Sequence, residues 1–401
     1  LPGVCTACGC LCDDIEVAIR DDEITDAIHA CPIGREWFLQ SRHEPAALAA
    51  IKGKPVELPA AIDHAVRILT AARCPLIYGL SGASCEAQSL AVDISSRLRA
   101  VLDVDRPMGR QVTAARRHGM RKCSFADLRH RADLIVIWRA NPLLTHPRYF
   151  ERYIGTSCIV MAVGERSFTS EAVQHFLELP SARALDFLRL TLATLRNVPT
   201  SVALATAAGV DQGGLRALVD RMRSCRFGAM LFDDQNCDAE EADGIFELIA
   251  ELNRTTHWAA LDLGPRGNPT GALNVIASRT GHPPPVSFLD DTPRHQADFT
   301  APLMLERGEV DALFLIALDR DTSPALPTKN IPTIAIGHDP RAIPGSAAVA
   351  IVTATPGLDA DGTFHRADDV PLRLIAKRNS TRPSDEQVLD QLLERLNAQS
   401  E

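Results

Sequence analysis

The chain has 401 residues, enough to bury a sizeable core and to divide into two or three folding units. A net charge of -9 argues against nucleic-acid recognition, which relies on clustered Lys and Arg. No apolar run approaches the roughly 18 to 20 residues of a membrane-spanning helix, and no charged leader with an apolar stretch opens the sequence, so a cytoplasmic protein with neither membrane nor nucleic-acid partner is expected.

The first element is VCTACGCLCDD, residues 4 to 14. Cys5, Cys8 and Cys12 form C-x2-C-x3-C, and Cys31 follows after eighteen residues in HACPIGREWF. Three thiolates on a tight loop plus one from a distant turn is how a chain wraps the four corners of an iron–sulfur cubane. Zinc would also accept four thiolates, although structural zinc sites usually pair two C-x2-C knuckles and the second is missing here. Four free buried thiols are the remaining reading. Cys10 falls between the ligands and is expected to point away. Residues 1–52 carry five of the eleven cysteines, show weak strand alternation in DIEVAIRDDEITDA and end in the helical pattern REWFLQSRHEPAALAA. So small a segment cannot build a core without help, which a metal staple would supply.

Further along, CPLIYGL (74 to 80), the helical SCEAQSLAVDISSRLRA and VLDVD make a βαβ unit. RRHGMRK (116 to 122) reads as a solvated helix face. ADLIVIW (132 to 138), SCIVMAV (157 to 163), FGAMLFD (227 to 233), ALFLIAL (312 to 318) and IPTIAIG (331 to 337) are short β-branched runs, with helical patterns at 183–196, 213–224 and 239–253. The expected class is α/β with mostly parallel sheets in two Rossmann-like layers. GHPPPVS (281 to 287) reads as a rigid loop. Cys74, Cys85, Cys123, Cys158, Cys225 and Cys237 stand singly beside apolar runs or on helices, as small buried hydrophobes do. No H-E-x-x-H, G-x-S-x-G, Walker loop or G-x-G-x-x-G stands in a strand-turn-helix context, and no histidine is assigned to a metal.

Six stretches in this order, CTACGCLCDDI, ACPIG, PLIYGLSGASCEAQ, ADLIVIWRANPLLTHPRYFERY, RGNPTGALNVIASRTGHPPPVSF and GLDADGTFHRADDVPLRL, together resemble the B subunit of formylmethanofuran dehydrogenase, within the wider molybdopterin formate dehydrogenase family. The resemblance implies a small cysteine-rich iron–sulfur-type domain at 1–52, one Rossmann-like domain from 53–112 and 256–360, a second at 113–255, and a C-terminal segment at 361–401. It implies a [4Fe–4S] cluster on Cys5, Cys8, Cys12 and Cys31 beside a tungsto- or molybdopterin that reduces carbon dioxide to formate. In that family a Cys-His pair sits at the pterin metal.

Here the equivalent stretch is DVDRPMGRQVTAA (103 to 115), where Gly109 and Arg110 fall at the positions of the pair, beside Met108. Glycine has no side-chain donor and arginine no lone pair, and a thioether is poorly suited to replace a thiolate on a high-valent metal. The pterin cofactor and redox catalysis are therefore expected to be absent, although Arg266 in GPRGN matches the family's active-site arginine. A B subunit of this kind resembles that of bacterial formyltransferase/hydrolase complexes. There the complex moves a formyl group from a tetrahydromethanopterin carrier to a methanofuran-like carrier and hydrolyses it to formate. The implied partners are amidohydrolase-type, formyltransferase and β-helical subunits. The competing expectation is an active formylmethanofuran dehydrogenase subunit.

Overall fold

In the computed structural model, which describes residues 1–40, 47–106, 109–165, 171–209, 211–290, 292–318 and 330–399, the apolar runs of the sequence become parallel strands of a mixed α/β fold. The chain divides into two compact units, one formed by residues 1–107, 265–366 and 371–401, the other by 108–264 and 367–370.

The first unit holds a nine-stranded sheet whose parallel centre runs Val101–Val104, Pro75–Gly79, Ala312–Leu318, Thr333–Gly337, Val349–Val352. These strands are buried on both faces, which is why they read as continuous apolar runs. Ile77, Phe314, Ile334 and Ile336 point to one face, against Ile62, Ala91, Ile276 and Leu392 of the helices Leu58–Ala71, Cys85–Leu98, Pro269–Thr280 and Asp385–Ala398. Leu76, Tyr78, Leu313, Leu315 and Ala335 point to the other, against Met304 and Leu305. The order reverses at Pro75–Gly79, so a crevice between diverging connections opens at its carboxyl end, beside Ala312–Leu318. Gly79, at φ +119°, fits there because a Cβ would lie 2.3 Å from the Ile316 carbonyl oxygen.

Two local expectations change at the edges of this sheet. The helix expected to run through residues 35–50 is confined to Pro32–Phe38, and Ala49–Ile51 is instead a strand, antiparallel to Val349–Val352; residues 41–46 of that pattern lie outside the described residues. Small apolar residues suit either state, and here the open sheet edge supplies the ladder hydrogen bonds. GHPPPVS likewise ends in a short strand, Val286–Ser287, antiparallel to Val101–Val104.

Before this sheet in the chain, Ile15–Arg20 and Glu23–Ile28 form a hairpin joined by Pro2–Gly3. Its core is completed from the far end of the sequence. Leu11, fully buried, packs with Phe364 and Leu374 of the hairpin Gly362–His365 and Pro371–Leu374. Asp22 accepts two hydrogen bonds from Asn379, at 2.9 and 3.0 Å. The help that the cysteine segment requires thus includes a C-terminal hairpin, each buried apolar side chain contributing about 1.5–3 kcal/mol.

In the second unit, five parallel strands run in the order His175–Glu178, Ile159–Gly164, Leu134–Trp138, Phe227–Phe232, His257–Asp262. Val136, Trp138, Phe232 and Trp258 pack against Phe187, Leu218 and Ile249 of the helices Ala184–Leu195, Gln212–Ser224 and Ala239–Leu252. Among the described residues, no helix is long and apolar enough to cross a membrane.

Candidate metal centre

The cysteine loop closes on itself through its backbone. The Cys5 amide donates to the Cys12 carbonyl at 2.9 Å and the Leu11 amide to the Cys8 carbonyl at 3.3 Å. Cys31 comes from the N-cap of Pro32–Phe38, where its Sγ accepts the Gly34 N–H at 3.4 Å. Gly34 is required for that approach: a Cβ there would lie 2.9 Å from the Cys5 Sγ and 3.7 Å from the Cys31 Sγ. The four thiols expected as ligands therefore share one neighbourhood. Burial pushes the Cys5 thiol well up, the Ala7 amide opposes this, and the charges of Cys8, Cys12 and Cys31 add to the rise. Cys31 is raised by burial too, against the Gly34 amide.

Cys10 does not point away. It is fully buried, and burial together with the neighbouring Cys12 and Cys8 thiols pushes its own thiol well up. The loop is too short and too enclosed to turn it outward, so five sulfurs share the site.

Among the described residues, no group of three or more His, Cys, Asp or Glu side chains is drawn to the spacing of a single metal ion. The donor chemistry nevertheless fits a thiolate-bound metal. Buried thiolates crowded together repel one another, and a cationic centre is what makes their deprotonation favourable. Soft thiolate sets select zinc or iron–sulfur clusters.

A small cavity of about 30 Å³ adjoins this loop, lined by Thr6, Ser81, Arg266, Gly267, His338 and Phe364 among others. It lies at the carboxyl end of Pro75–Gly79, and the stretch Arg266-Gly267-Asn268 closes it. The Gly267 amide donates to the Thr6 carbonyl at 3.1 Å, and the Asn268 amide to the Ser81 carbonyl at 2.6 Å. Gly267, at φ +90°, has no room for a Cβ, which would lie 2.3 Å from the Ser81 oxygen. Gln88 donates from Nε2 to the Leu80, Ala83 and Asn268 carbonyls. His338 Nε2 bonds Asp385 Oδ2 at 2.7 Å, and Asp385 Oδ1 accepts from Thr353 Oγ1 at 2.6 Å. Arg266, singled out from the sequence, thus lies near the cysteine loop. His338, which lines the same cavity, and its partner Asp385 belong to no motif, and no local signal could have found them, whereas Gln88 closes the stretch PLIYGLSGASCEAQ.

Gly109 and Arg110 begin the helix Gly109–His118 of the second unit; their side chains, and Met108 altogether, lie outside the described residues. In that unit burial pushes Asp262 up to about 6, against the Asp234 amide. Its Oδ2 accepts from Gln111 Nε2 at 3.2 Å.

No family model matches the chain. It is 27% identical over 408 residues to the B subunit of tungsten-containing formylmethanofuran dehydrogenase 2 from Methanocaldococcus jannaschii, covering 92% of each chain. The protein of the same name from Methanococcus maripaludis is 27% identical over 427 residues, covering 98% of both. The B subunit of the formyltransferase/hydrolase complex Fhc of Methylorubrum extorquens is 26% identical over 328 residues, covering 79% of this chain and 87% of that one. Among solved structures, a chain of the Methylorubrum extorquens formyltransferase/hydrolase complex FhcABCD with methylofuran superposes with a TM-score of 0.72 at 22% identity, covering 88% of this chain and 99% of that one. Acetylene hydratase from Pelobacter acetylenicus superposes with a TM-score of 0.67 at 11% identity, covering all of this chain and 69% of that one. The two superpositions establish a shared fold.

Proposed function

We propose that this chain, a homologue of the B subunits of formylmethanofuran dehydrogenase and of Fhc, is the non-redox B subunit of a one-carbon formyltransferase/hydrolase complex. The observation that carries the reading is Gly109-Arg110 at the positions where the redox family has its Cys-His pair. With no thiolate to bind a pterin metal and no imidazole to handle a proton, the chain is unsuited to reducing carbon dioxide. Its part is structural, in a cytoplasmic hetero-oligomer with amidohydrolase-type, formyltransferase and β-helical subunits. The complex would pass a formyl group from a tetrahydromethanopterin carrier to a methanofuran-type carrier and release it as formate. The likeness to a chain of the multi-subunit complex FhcABCD supports a hetero-oligomeric assembly.

Within this reading the two parallel-sheet units are Rossmann-like domains and residues 1–52 an iron–sulfur-type domain. Cys5, Cys8, Cys12 and Cys31 would hold a [4Fe–4S] cluster, which when bound supplies a covalent cross-link among four points of the segment and an electron-accepting centre. The chain's own contribution is to gather the thiols, with Gly34 leaving room and donating to Cys31. The second reading, an active formylmethanofuran dehydrogenase subunit, is favoured by the complete set of four cysteines and the tungsten-containing relatives. Metal analysis of the native assembly separates the two. Tungsten and molybdenum near zero, with formyl transfer and hydrolysis intact, is the expected result. About one tungsten or molybdenum per chain, with reduction of carbon dioxide to formate, would overturn the proposal.

A further inference from the structure

We infer that the exposed basic segment at residues 116–121 of the second unit is a docking surface for an acidic segment of a partner protein. The inference rests on the reading of this chain as one subunit of a hetero-oligomer.

The segment stands out against a chain whose net charge is -9, because Arg116, Arg117, His118, Arg121 and Lys122 all fall between residues 116 and 122. The helix Gly109–His118 carries the first three in its last turn, where cations complement the helix dipole. It stops at Gly119, whose φ of +85° and amide bond to the Ala115 carbonyl at 2.8 Å close the end. The chain then passes along the edge of the five-stranded sheet, where the Arg121 carbonyl accepts the Ala260 amide at 2.9 Å from the strand His257–Asp262. Helix and sheet thus hold the segment at both ends.

Part of its charge is neutralised within the unit. Arg117 pairs with Asp243 at 3.2 Å, His118 Nε2 lies at the same distance from that carboxylate oxygen, and Lys122 pairs with Asp369 at 3.0 Å. Arg116 and Arg121 are exposed and have no carboxylate partner among the described residues. Between them in sequence Met120 is 45% exposed, and a Cβ on Gly119 would meet nothing within 4 Å, so nothing in the unit covers this stretch.

Arginine and methionine are enriched where proteins dock. A guanidinium takes a carboxylate through two parallel hydrogen bonds, and the methionine supplies an apolar contact beside it. The complement is a segment of another protein that carries Asp or Glu on either side of an apolar residue. Nucleic acid and a second copy of this chain fit less well, since the net negative charge of the chain repels both.

The test uses the native assembly. Native mass spectrometry of the unaltered preparation comes first: this chain alone, or only copies of itself, overturns the hetero-oligomer reading before any variant is made. Where other subunits are present, Arg116→Glu/Arg121→Glu should weaken retention of this chain by roughly tenfold, and Arg116→Lys/Arg121→Lys, which keeps the charge, should weaken it less. Native hydrogen exchange across residues 227–262 shows that the unit is folded; should the Glu pair fail this, Arg116→Gln/Arg121→Gln is read in its place. Arg121→Lys also supplies an amine that a carbodiimide joins to a carboxylate in contact, and mass spectrometry of the linked peptides should find an acidic segment of another subunit, absent from the native control. Unchanged retention in the folded charge-removed pair overturns the docking role. A new cross-link confined to this chain or to a second copy of it, or no new cross-link, overturns the acidic partner. Binding of a duplex DNA probe that the same pair abolishes overturns it too, by making the segment a nucleic-acid contact.

Discussion

The cysteine segment at residues 1–40 and the five-stranded sheet of the second unit reach order by opposite routes. In the sheet, Val136, Trp138, Phe232 and Trp258 are covered by apolar residues of the helices that connect those strands, so burial alone accounts for the core. The segment has a hairpin and a seven-residue helix, and its interior is rich in thiols. Its apolar anchor Leu11 rests on Phe364 and Leu374, more than 300 residues later. The contrast teaches that an α/β unit supplies its own stability, whereas the cysteine segment depends on a distant seat and leaves its sulfurs to chemistry.

The sharpest test is a pair of large-to-small substitutions. Trp138→Ala should cost about 3–5 kcal/mol and raise hydrogen exchange across residues 227–262, with iron per chain unchanged. Leu374→Ala should cost about 2–4 kcal/mol, with exchange rising in residues 4–14 and iron falling. Equal iron in both variants would erase the distinction between the two regions. A smaller effect is expected at Gly34→Ala, whose added methyl would lie 2.9 Å from the Cys5 Sγ. It should cost about 1–3 kcal/mol and lower iron occupancy, read by metal analysis; retention of full iron would mean that the glycine is not needed for the approach of Cys5 and Cys31.

The smallest expected effect is a pH dependence confined to the sheet unit. Asp262, pushed up to about 6 by burial, holds its proton more tightly folded than unfolded. Its contribution to stability is therefore fully present below the ordinary aspartate range and is lost as pH rises through about 6. Asp262→Asn should flatten that fall, gaining on the native chain by about 1–2 kcal/mol between pH 4 and pH 7. Urea midpoints at the two pH values would show it. Parallel pH profiles of the two proteins would mean that Asp262 titrates normally.

Much of this fold is legible in the sequence because its information is local. ALFLIAL spans the same residues as the strand Ala312–Leu318, and the helix expected at 239–253 is Ala239–Leu252. Strands buried on both faces need unbroken apolar runs, and the helices against them need a 3.6-residue stripe. The gathering of Cys5, Cys8, Cys12 and Cys31 in one neighbourhood was likewise suggested by their spacing, and their role as ligands is the proposal made above. The proposed loss of a ligand pair at Gly109-Arg110 rests on comparison with a family pattern, because neither residue carries a signal of its own.

Tertiary structure alone decided the remainder. Whether Ala49–Ile51 continues a helix or joins a sheet depended on the free edge of Val349–Val352, some 300 residues away. Cys10 turned inward because the loop closes under Leu11, whose seat comes from residues 364 and 374. His338 met Asp385, and Gln88 met Asn268, across 47 and 180 residues of chain. Periodicity records which face of an element is buried and residue type records which chemistry is available. Neither records which distant partner closes the contact, and that is set only when the elements pack.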